Sequence, residues 1–210
     1  LIIGGGVIGV EFASIFAALG AQVTISELAD HLIPIADTEI SKELERVFAR
    51  KNIQIIKKSD LTQEEMDSFE KVLVAIGRKP SIGSLSLAGV GIKFTAKGIE
   101  TNERMQTNIT NIFAIGDVAG KSFLAYTAER EGKIAAETIL GKKPVPLNYR
   151  AVPATIFSSP EVAFVGLTEQ QTKELGVEYV TGKALYSANA KALITGSRDG
   201  FAKVIVEKSS

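Results

Sequence analysis

The chain opens on a glycine-rich turn that restricts what can surround it. A short apolar run, Leu1–Ile3, leads into the pattern Gly4-x-Gly6-x-x-Gly9, and a helix-like sequence follows. Gly4 allows a sharp turn after a strand, Gly6 lets the backbone approach a pyrophosphate, and Gly9 lets the helix lie close to the sheet. The first helical N–H groups and the positive end of the helix dipole then point at the phosphates.

The next residues favour a dinucleotide-binding unit, although glycines alone occur in any tight turn. A second strand, Val23–Ser26, ends at Glu27, and an acid roughly 20 residues beyond the glycines is placed to hold an adenosine ribose 2′-hydroxyl. Gly20 marks the end of the intervening helix. We expect the buried face of that helix to consist of its regularly spaced apolar residues: Val7, Ile8, Phe12, Ile15, Phe16 and Leu19.

Alternating helices and strands continue after Glu27. Asp37 is placed to cap a helix whose apolar face comprises Ile40, Leu44, Val47 and Phe48. Asn52–Ile56 is a third strand, so the order β-α-β-α-β predicts an α/β fold with a parallel sheet. Lys71–Ile76 is a continuous apolar run, which predicts a strand buried on both faces before the break at Gly77.

A further buried strand is predicted at Ile112–Ile115, with Asp117 at its carboxyl end, where ligands collect in open α/β sheets. On sequence alone, an aspartate there is more commonly a turn or capping residue. The helix that follows ends at Gly141, and its predicted apolar positions are Leu124, Ala128, Ile134, Ala135, Ile139 and Leu140.

The character of the sequence changes after Pro146. Thr168 and Gln171 form a capping-box pattern at the start of a short helix, and alternating stretches follow. The dipeptide Asp199-Gly200 predicts a hairpin between the last two of them. This part therefore resembles the beginning of an antiparallel α+β domain.

Composition excludes several functional classes. Lys plus Arg and Asp plus Glu both total 24, so no net field favours nucleic acid or an anionic membrane. There is no cysteine, hence no disulfide or thiol nucleophile within these residues. The single histidine, His31, has no patterned partner, and we predict neither a catalytic role for it nor a metal site. No apolar stretch reaches the roughly 18 residues of a membrane span. Because the chain starts inside a short strand, at Leu1, we expect a fragment of a longer protein.

Several motifs in the same order resemble those of the flavin-dependent pyridine nucleotide–disulfide oxidoreductases. They are Gly4–Phe12, Val74–Pro80 and Phe113–Gly120, while Val152–Ala163 and Val165–Glu169 are similar to the opening of that family's dimerisation domain. The likeness is greatest to the dihydrolipoamide dehydrogenase branch. It implies a Rossmann-like NAD-binding domain over residues 1–79, the returning part of a FAD-binding domain over 80–146, and the start of a dimerisation domain over 147–210.

The resemblance also implies the cofactors, NAD and FAD, and the residues that contact them. Glu27 would hold the NAD ribose, Glu11 would lie near the nicotinamide, and Gly77 would lie against the dinucleotide. Asp117 would bind the FAD ribityl chain, and Ala125 would offer a backbone contact near the flavin. The pyrophosphate would lie against the turn and the first helical residues: Gly4, Gly5, Gly6, Val7, Ile8 and Gly9.

The family's redox cysteines and catalytic His–Glu pair would lie outside residues 1–210, so we expect no catalytic residue in this chain and no activity from it alone. Two departures stand out: Lys57–Lys71 is shorter than the family's strand meander, and Tyr126 replaces a common histidine.

The implied reaction is hydride transfer between NAD and FAD, coupled to dithiol–disulfide exchange that oxidises dihydrolipoamide. An NADH oxidase, another NAD(P)H-dependent disulfide reductase, or a non-catalytic NAD-binding and dimerisation fragment are the alternatives.

The expected partners are a second copy of the parent protein and the lipoyl domains of a 2-oxo acid dehydrogenase complex, without nucleic acid or a membrane span. The expected compartment is the cytoplasm, or the mitochondrial matrix if the source is eukaryotic.

Overall fold

A computed structural model describes residues 1–208 and divides the chain into two compact units. The first comprises Leu1–Gly77 and the chain from Pro153 onward, and the second comprises Arg78–Val152. No helix within the described residues is long and apolar enough to cross a bilayer.

The N-terminal part of the first unit is a four-stranded parallel sheet with helices between its strands. The elements in chain order are β1 (Ile2–Ile3), α1 (Val7–Ala18), β2 (Thr24–Glu27), α2 (Thr38–Arg50), β3 (Gln54–Lys57), α3 (Gln63–Asp67) and β4 (Leu73–Val74). The strand order is β3-β2-β1-β4, and Ile2 lies opposite both Ile25 and Leu73. This arrangement confirms the predicted α/β parallel fold.

The predicted buried face of α1 is wrong in its main part. The buried residues of α1 are Gly9, Val10, Ala13 and Ser14, whereas Ile15 and Leu19 are 48% and 77% exposed. Ile8 and Phe12 are exposed as well, and only Val7 and Phe16 of the predicted set pack against the core. The reason is the close approach of the helix to β1. Small residues such as Gly9 and Ala13 fit that approach, and the exposed residues Ile8, Phe12, Ile15 and Leu19 lie on the other side.

The prediction that Lys71–Ile76 is buried on both faces is also wrong. β4 is the edge strand of the sheet and pairs only with β1 among the described residues. Val74 and Ile76 are accordingly exposed. A continuous apolar run shows that a strand can be covered on both faces, but the covering elements must come from elsewhere in the fold.

Helix α2 follows the prediction. The Asp37 carboxylate accepts a hydrogen bond from the Glu39 N–H at 3.0 Å and caps the helix. Leu44, Val47 and Phe48 are buried. The polar segment between β3 and β4 forms α3, which was not predicted, and a reciprocal capping box of Thr62 and Glu65 begins it.

The second unit contains a two-stranded ribbon, β5 (Phe94–Thr95) and β6 (Gly98–Ile99), and one long helix, α4 (Ala125–Ile139). The predicted strand Ile112–Ile115 forms no ladder among the described residues, and its one bridge joins Phe113 to Gln106. An extended segment becomes a ladder strand only where a neighbouring strand pairs with its backbone groups on at least one side. A 3-10 turn, Gly116–Ala119, comes directly after it.

Helix α4 partly follows the predicted apolar pattern. Ile134 and Ala135 are buried, and Gly141 has a positive φ of 73° beyond the helix end. Ile139 and Leu140 were predicted on the buried face and are exposed.

The C-terminal part of the first unit consists of two antiparallel ribbons and two short helices. The elements are β7 (Ala154–Ile156), β8 (Val162–Phe164), α5 (Glu169–Glu174), β9 (Tyr179–Leu185), α6 (Ala190–Thr195) and β10 (Phe201–Glu207). β7 pairs with β8, and β9 pairs with β10. The capping box at Thr168 is confirmed. Asp199-Gly200 does not form a tight hairpin, because the connection between β9 and β10 contains the helix α6.

A buried lysine joins this C-terminal part to α2. The Lys203 side chain is only 6% exposed, and its ammonium contacts Glu169 at 2.6 Å, Glu39 at 2.9 Å and Asp37 at 3.1 and 3.2 Å. Asp37 also accepts the Glu169 N–H at 3.0 Å. The α2 capping residue is therefore shared between α2, α5 and β10. We call these four residues the Lys203 cluster.

Candidate functional site

The glycine-rich turn lies at the carboxyl end of β1, beside the end of β4. Gly4 has a φ of +105°, and a Cβ there would lie 2.4 Å from the Ala75 carbonyl oxygen. A Cβ on Gly9 would lie 1.9 Å from the Gly4 carbonyl oxygen, so strand and helix are in backbone contact. A Cβ on Gly6 would meet nothing within 4 Å. Gly6 is therefore the glycine whose open side a ligand could use.

The first turn of α1 offers free donors to that open side. Gly6 occupies the N-cap position, no side chain caps the helix, and the first turn contains no acid. The first N–H groups of a helix have no intrahelical partner, and the helix dipole adds a partial positive charge there. Val7 and Ile8 stand in this first turn. An uncapped start beside an open glycine fits an anionic group such as a pyrophosphate.

Glu27 is attached directly to the turn. One of its carboxylate oxygens accepts the Gly5 N–H at 2.5 Å, and the other accepts the Ala29 N–H at 2.8 Å. A carboxylate has about four acceptor positions, so these two backbone bonds occupy about half of them. The position of Glu27 was predicted, but its bond to Gly5 was not, because spacing along the chain does not reveal which donor a carboxylate meets.

Glu11 and Gly77 lie at the edges of this region. Glu11, on α1, accepts the Phe157 N–H at 2.8 Å, and one helical turn later Ser14 accepts the Ser159 N–H at 2.7 Å. The Glu11 carboxylate thus holds the segment that directly follows residues 154–156, the strand after Pro153. Gly77 comes after β4 with a φ of +113° and open space on its Cβ side.

The two residues predicted to contact flavin lie in the second unit. Asp117 belongs to the turn Gly116–Ala119, and its exposed carboxylate makes no side-chain hydrogen bond to any residue in the range 1–208. Ala125 is the first residue of α4, which also starts without a side-chain cap. A free carboxylate and an uncapped helix start fit a hydroxyl-bearing chain and a polar ring edge.

A fully buried carboxylate beside Asp117 was not predicted from the sequence. Glu131, on α4, accepts the Gly116 N–H at 2.6 Å through one oxygen and the Tyr149 O–H at 2.6 Å through the other. Its position on the buried face of α4, between Thr127 and Ile134, is the signal that could have revealed it. Burial, together with the bond to Glu131, raises the pKa of the Tyr149 phenol, so the phenol stays protonated as the donor.

Lys121 lies next to this carboxylate. Its ammonium sits 5.7 Å from the centre of the Tyr149 ring and donates to the Thr101 carbonyl at 3.3 Å. Burial lowers the pKa of Lys121, and the negative charge of Glu131 works against that effect.

Sequence profiles of two domains match the chain. The pyridine nucleotide-disulphide oxidoreductase profile matches residues 1–132, and the dimerisation domain of the same family matches residues 152–210. Curated relatives include a dihydrolipoyl dehydrogenase of Bacillus subtilis, 42% identical over 229 residues, covering 100% of this chain and 48% of the relative. The mitochondrial dihydrolipoyl dehydrogenase of Canis lupus familiaris is 38% identical, covering 100% and 45%. The chain spans about half the length of these relatives.

Solved structures agree with the sequence relatives. LpdA of Mycobacterium tuberculosis superposes with a TM-score of 0.88 at 30% identity, covering 99% of this chain and 49% of the other. The HOCl-induced flavoprotein disulfide reductase RclA of Escherichia coli superposes with a TM-score of 0.87 at 28% identity, covering 99% and 51%. The chain belongs to the pyridine nucleotide-disulphide oxidoreductase family.

Proposed function

We propose that this chain is the nucleotide-binding and flavin-contacting half of a dihydrolipoyl dehydrogenase. The observation that carries the proposal is the pairing of Glu27 with the Gly5 N–H, because it links the predicted ribose-binding acid to the predicted phosphate-binding turn. In this proposal residues 1–79 form the NAD-binding domain, 80–146 the returning part of the FAD-binding domain, and 147–210 the start of the dimerisation domain.

The chain's own residues would bind and orient two cofactors. Gly4, Gly6 and Gly9 would admit the NAD pyrophosphate, and the two remaining acceptor positions of Glu27 would take the ribose hydroxyls. Asp117 and the start of α4 would hold FAD. Bound FAD supplies the two-electron chemistry that connects the nicotinamide to a disulfide.

The proposal extends to assembly and location. The match to a dimerisation domain supports a homodimer of the parent protein. Lipoyl domains of a 2-oxo acid dehydrogenase complex are the proposed protein partners, and bacterial cytoplasm or the mitochondrial matrix is the proposed compartment. Bacterial and mitochondrial relatives support this location.

Nucleotide choice tests the NAD assignment. A 2′-phosphate would be repelled by the Glu27 carboxylate, and the next residues, Leu28 and Ala29, offer no cation to compensate. We expect NADH to bind the complete protein at least about tenfold more tightly than NADPH, the factor given by ~1.4 kcal/mol of repulsion. Fluorescence titration with each nucleotide measures this ratio. Tighter binding of NADPH would refute the role of Glu27.

A different disulfide reductase is the second candidate, and the resemblance to RclA favours it. The complete protein should reduce NAD when given dihydrolipoamide, and the 210-residue chain alone should not, because it contains no cysteine for dithiol exchange. An absorbance assay of NADH formation separates the candidates. NADH-dependent reduction of another disulfide, without dihydrolipoamide oxidation, would favour the second candidate. Turnover by the 210-residue chain alone would contradict the dithiol mechanism.

A further inference from the structure

Glu131 is a fully buried acidic residue of the second unit. Its side chain has no exposure, although a buried carboxylate is costly unless it is paired. Both of its hydrogen-bond partners, the Gly116 N–H and the Tyr149 O–H, are neutral. An apolar residue of the same size would pack without that desolvation penalty. Such local departures from stable design concentrate at functional sites.

The Gly116 bond fixes one end of the turn that carries Asp117. Gly116 is buried with a φ of +68°, and a Cβ there would lie 3.2 Å from Ala128 on α4. The other end of the turn is fixed by contact, because a Cβ on Gly120 would lie 1.6 Å from the Lys97 carbonyl oxygen. Between these two fixed ends, Asp117 presents its carboxylate outward.

The phenol of Tyr149 holds Glu131 from the opposite side. Its O–H occupies the second carboxylate oxygen, so the first oxygen is directed at the Gly116 N–H. Two hydrogen bonds at 2.6 Å thus connect the segment after α4 to the turn before it. The chain of contacts runs from Tyr149 through Glu131 and Gly116 to Asp117.

We propose that Glu131 is a positioning residue for flavin binding, and that it acts by anchoring the Gly116 amide so that Asp117 faces the FAD ribityl chain. The inference rests on the proposed function, since it assigns FAD to Asp117. It differs from a general stabilising role in one respect. If Glu131 acts through Asp117, its contribution to FAD affinity should disappear when the Asp117 carboxylate is absent.

The test is a double-mutant cycle in the complete protein, with the FAD dissociation constant of the apoprotein measured by flavin fluorescence. Tyr149→Phe is the matched control, since it removes the phenol and leaves the Gly116 bond. Because the phenol directs Glu131 at the Gly116 N–H, we expect this variant to lose part of the FAD affinity of wild type, and it serves as the reference for the Glu131 substitution. Glu131→Met combined with Tyr149→Phe should bind about 10–100-fold more weakly than that control, the loss expected for a hydrogen bond to a charged group. Glu131→Gln keeps an uncharged acceptor and should lose about 3–10-fold.

The decisive comparison repeats these variants in an Asp117→Ala background, where we expect the Glu131 substitutions to change FAD affinity by less than about threefold. Equal losses in both backgrounds would overturn the inference, and so would unchanged FAD affinity in the Glu131 variants. If the Met variant does not fold, the Gln variant carries the same comparison, and thermal unfolding of each apoprotein identifies that case. Failure of the wild-type protein to bind FAD would instead overturn the proposed function and the inference with it.

Discussion

The variant Gly9→Ala should lose NADH binding together with stability of the first unit. The added Cβ would lie 1.9 Å from the Gly4 carbonyl oxygen, and neither backbone group has a flexible end that could move away. Helix α1 must shift from β1, which we expect to lower the free energy of unfolding by about 3 kcal/mol, the upper range for overpacked sites. Urea unfolding of the apoprotein and NADH titration measure the two effects.

Gly6→Ala is the matched control, because the same methyl group enters open space. Position 6 has a φ of −74°, which alanine adopts without strain, and nothing lies within 4 Å of the new Cβ. Unfolding free energy should change by less than about 1 kcal/mol, the scale of a helix N-cap substitution. NADH affinity should nevertheless fall by at least about tenfold, because the methyl group fills the space assigned to the pyrophosphate. Normal NADH affinity in Gly6→Ala would contradict that assignment.

Local sequence predicted the parts of the fold that depend on local geometry. The turn at Gly4, the cap at Asp37 and the position of Glu27 follow from residue type and spacing, and the structure contains all three. The predicted buried face of α1 was wrong because the prediction used only the spacing of apolar residues. In this helix the closeness of β1, set by Gly9, selects small residues instead.

The remaining misses depend on neighbours that are distant in sequence. Val74 is exposed because β4 lies at the sheet edge, and Ile112–Ile115 forms no ladder because no described strand flanks it. Glu131 was missed because its charge was weighed above its position on the buried face of α4. Glutamates on helices are almost always solvent-exposed, and only the fold brings Gly116 and Tyr149 to its two oxygens.

Lys203→Met should also lower the free energy of unfolding substantially. Methionine keeps the unbranched shape but removes the cation that Asp37, Glu39 and Glu169 share. Asp37 would lose its lysine contact, and Glu39 and Glu169 would keep only the exposed lysines Lys183 and Lys173, so the three carboxylates would repel one another more strongly. Breaking a fully buried ion pair lowers the free energy of unfolding by roughly 3–5 kcal/mol. We expect a loss of about 2–3 kcal/mol for Lys203→Met, because water still reaches Glu39. Urea unfolding at pH 7 measures the change.

Lys183→Met provides the matched surface control. Lys183 contacts the same Glu39 at 2.5 Å, but both side chains are substantially exposed. Exposed ion pairs contribute about 0–1 kcal/mol, so this variant should unfold within about 1 kcal/mol of wild type. Equal destabilisation by the two substitutions would mean that burial of Lys203 has no special effect.

The pH dependence of the Lys203→Met effect gives the sharper test of the Lys203 cluster. Hydrogen bonds from Lys203, Lys173 and Tyr179 lower the pKa of Glu169 to about 2, and Lys203 contributes to lowering the pKa of Glu39 and Asp37 as well. A carboxyl group with a lowered folded pKa stabilises the protein above its unfolded value, about pH 4, and loses that contribution as pH falls towards the folded value. Wild type should therefore lose stability between pH 5 and about pH 2. Lys203→Met should lose less, because protonation relieves its repulsion, so the gap between the two proteins should narrow on acidification. A gap that stays constant from pH 7 to pH 3 would show that the cluster does not stabilise the fold through charge.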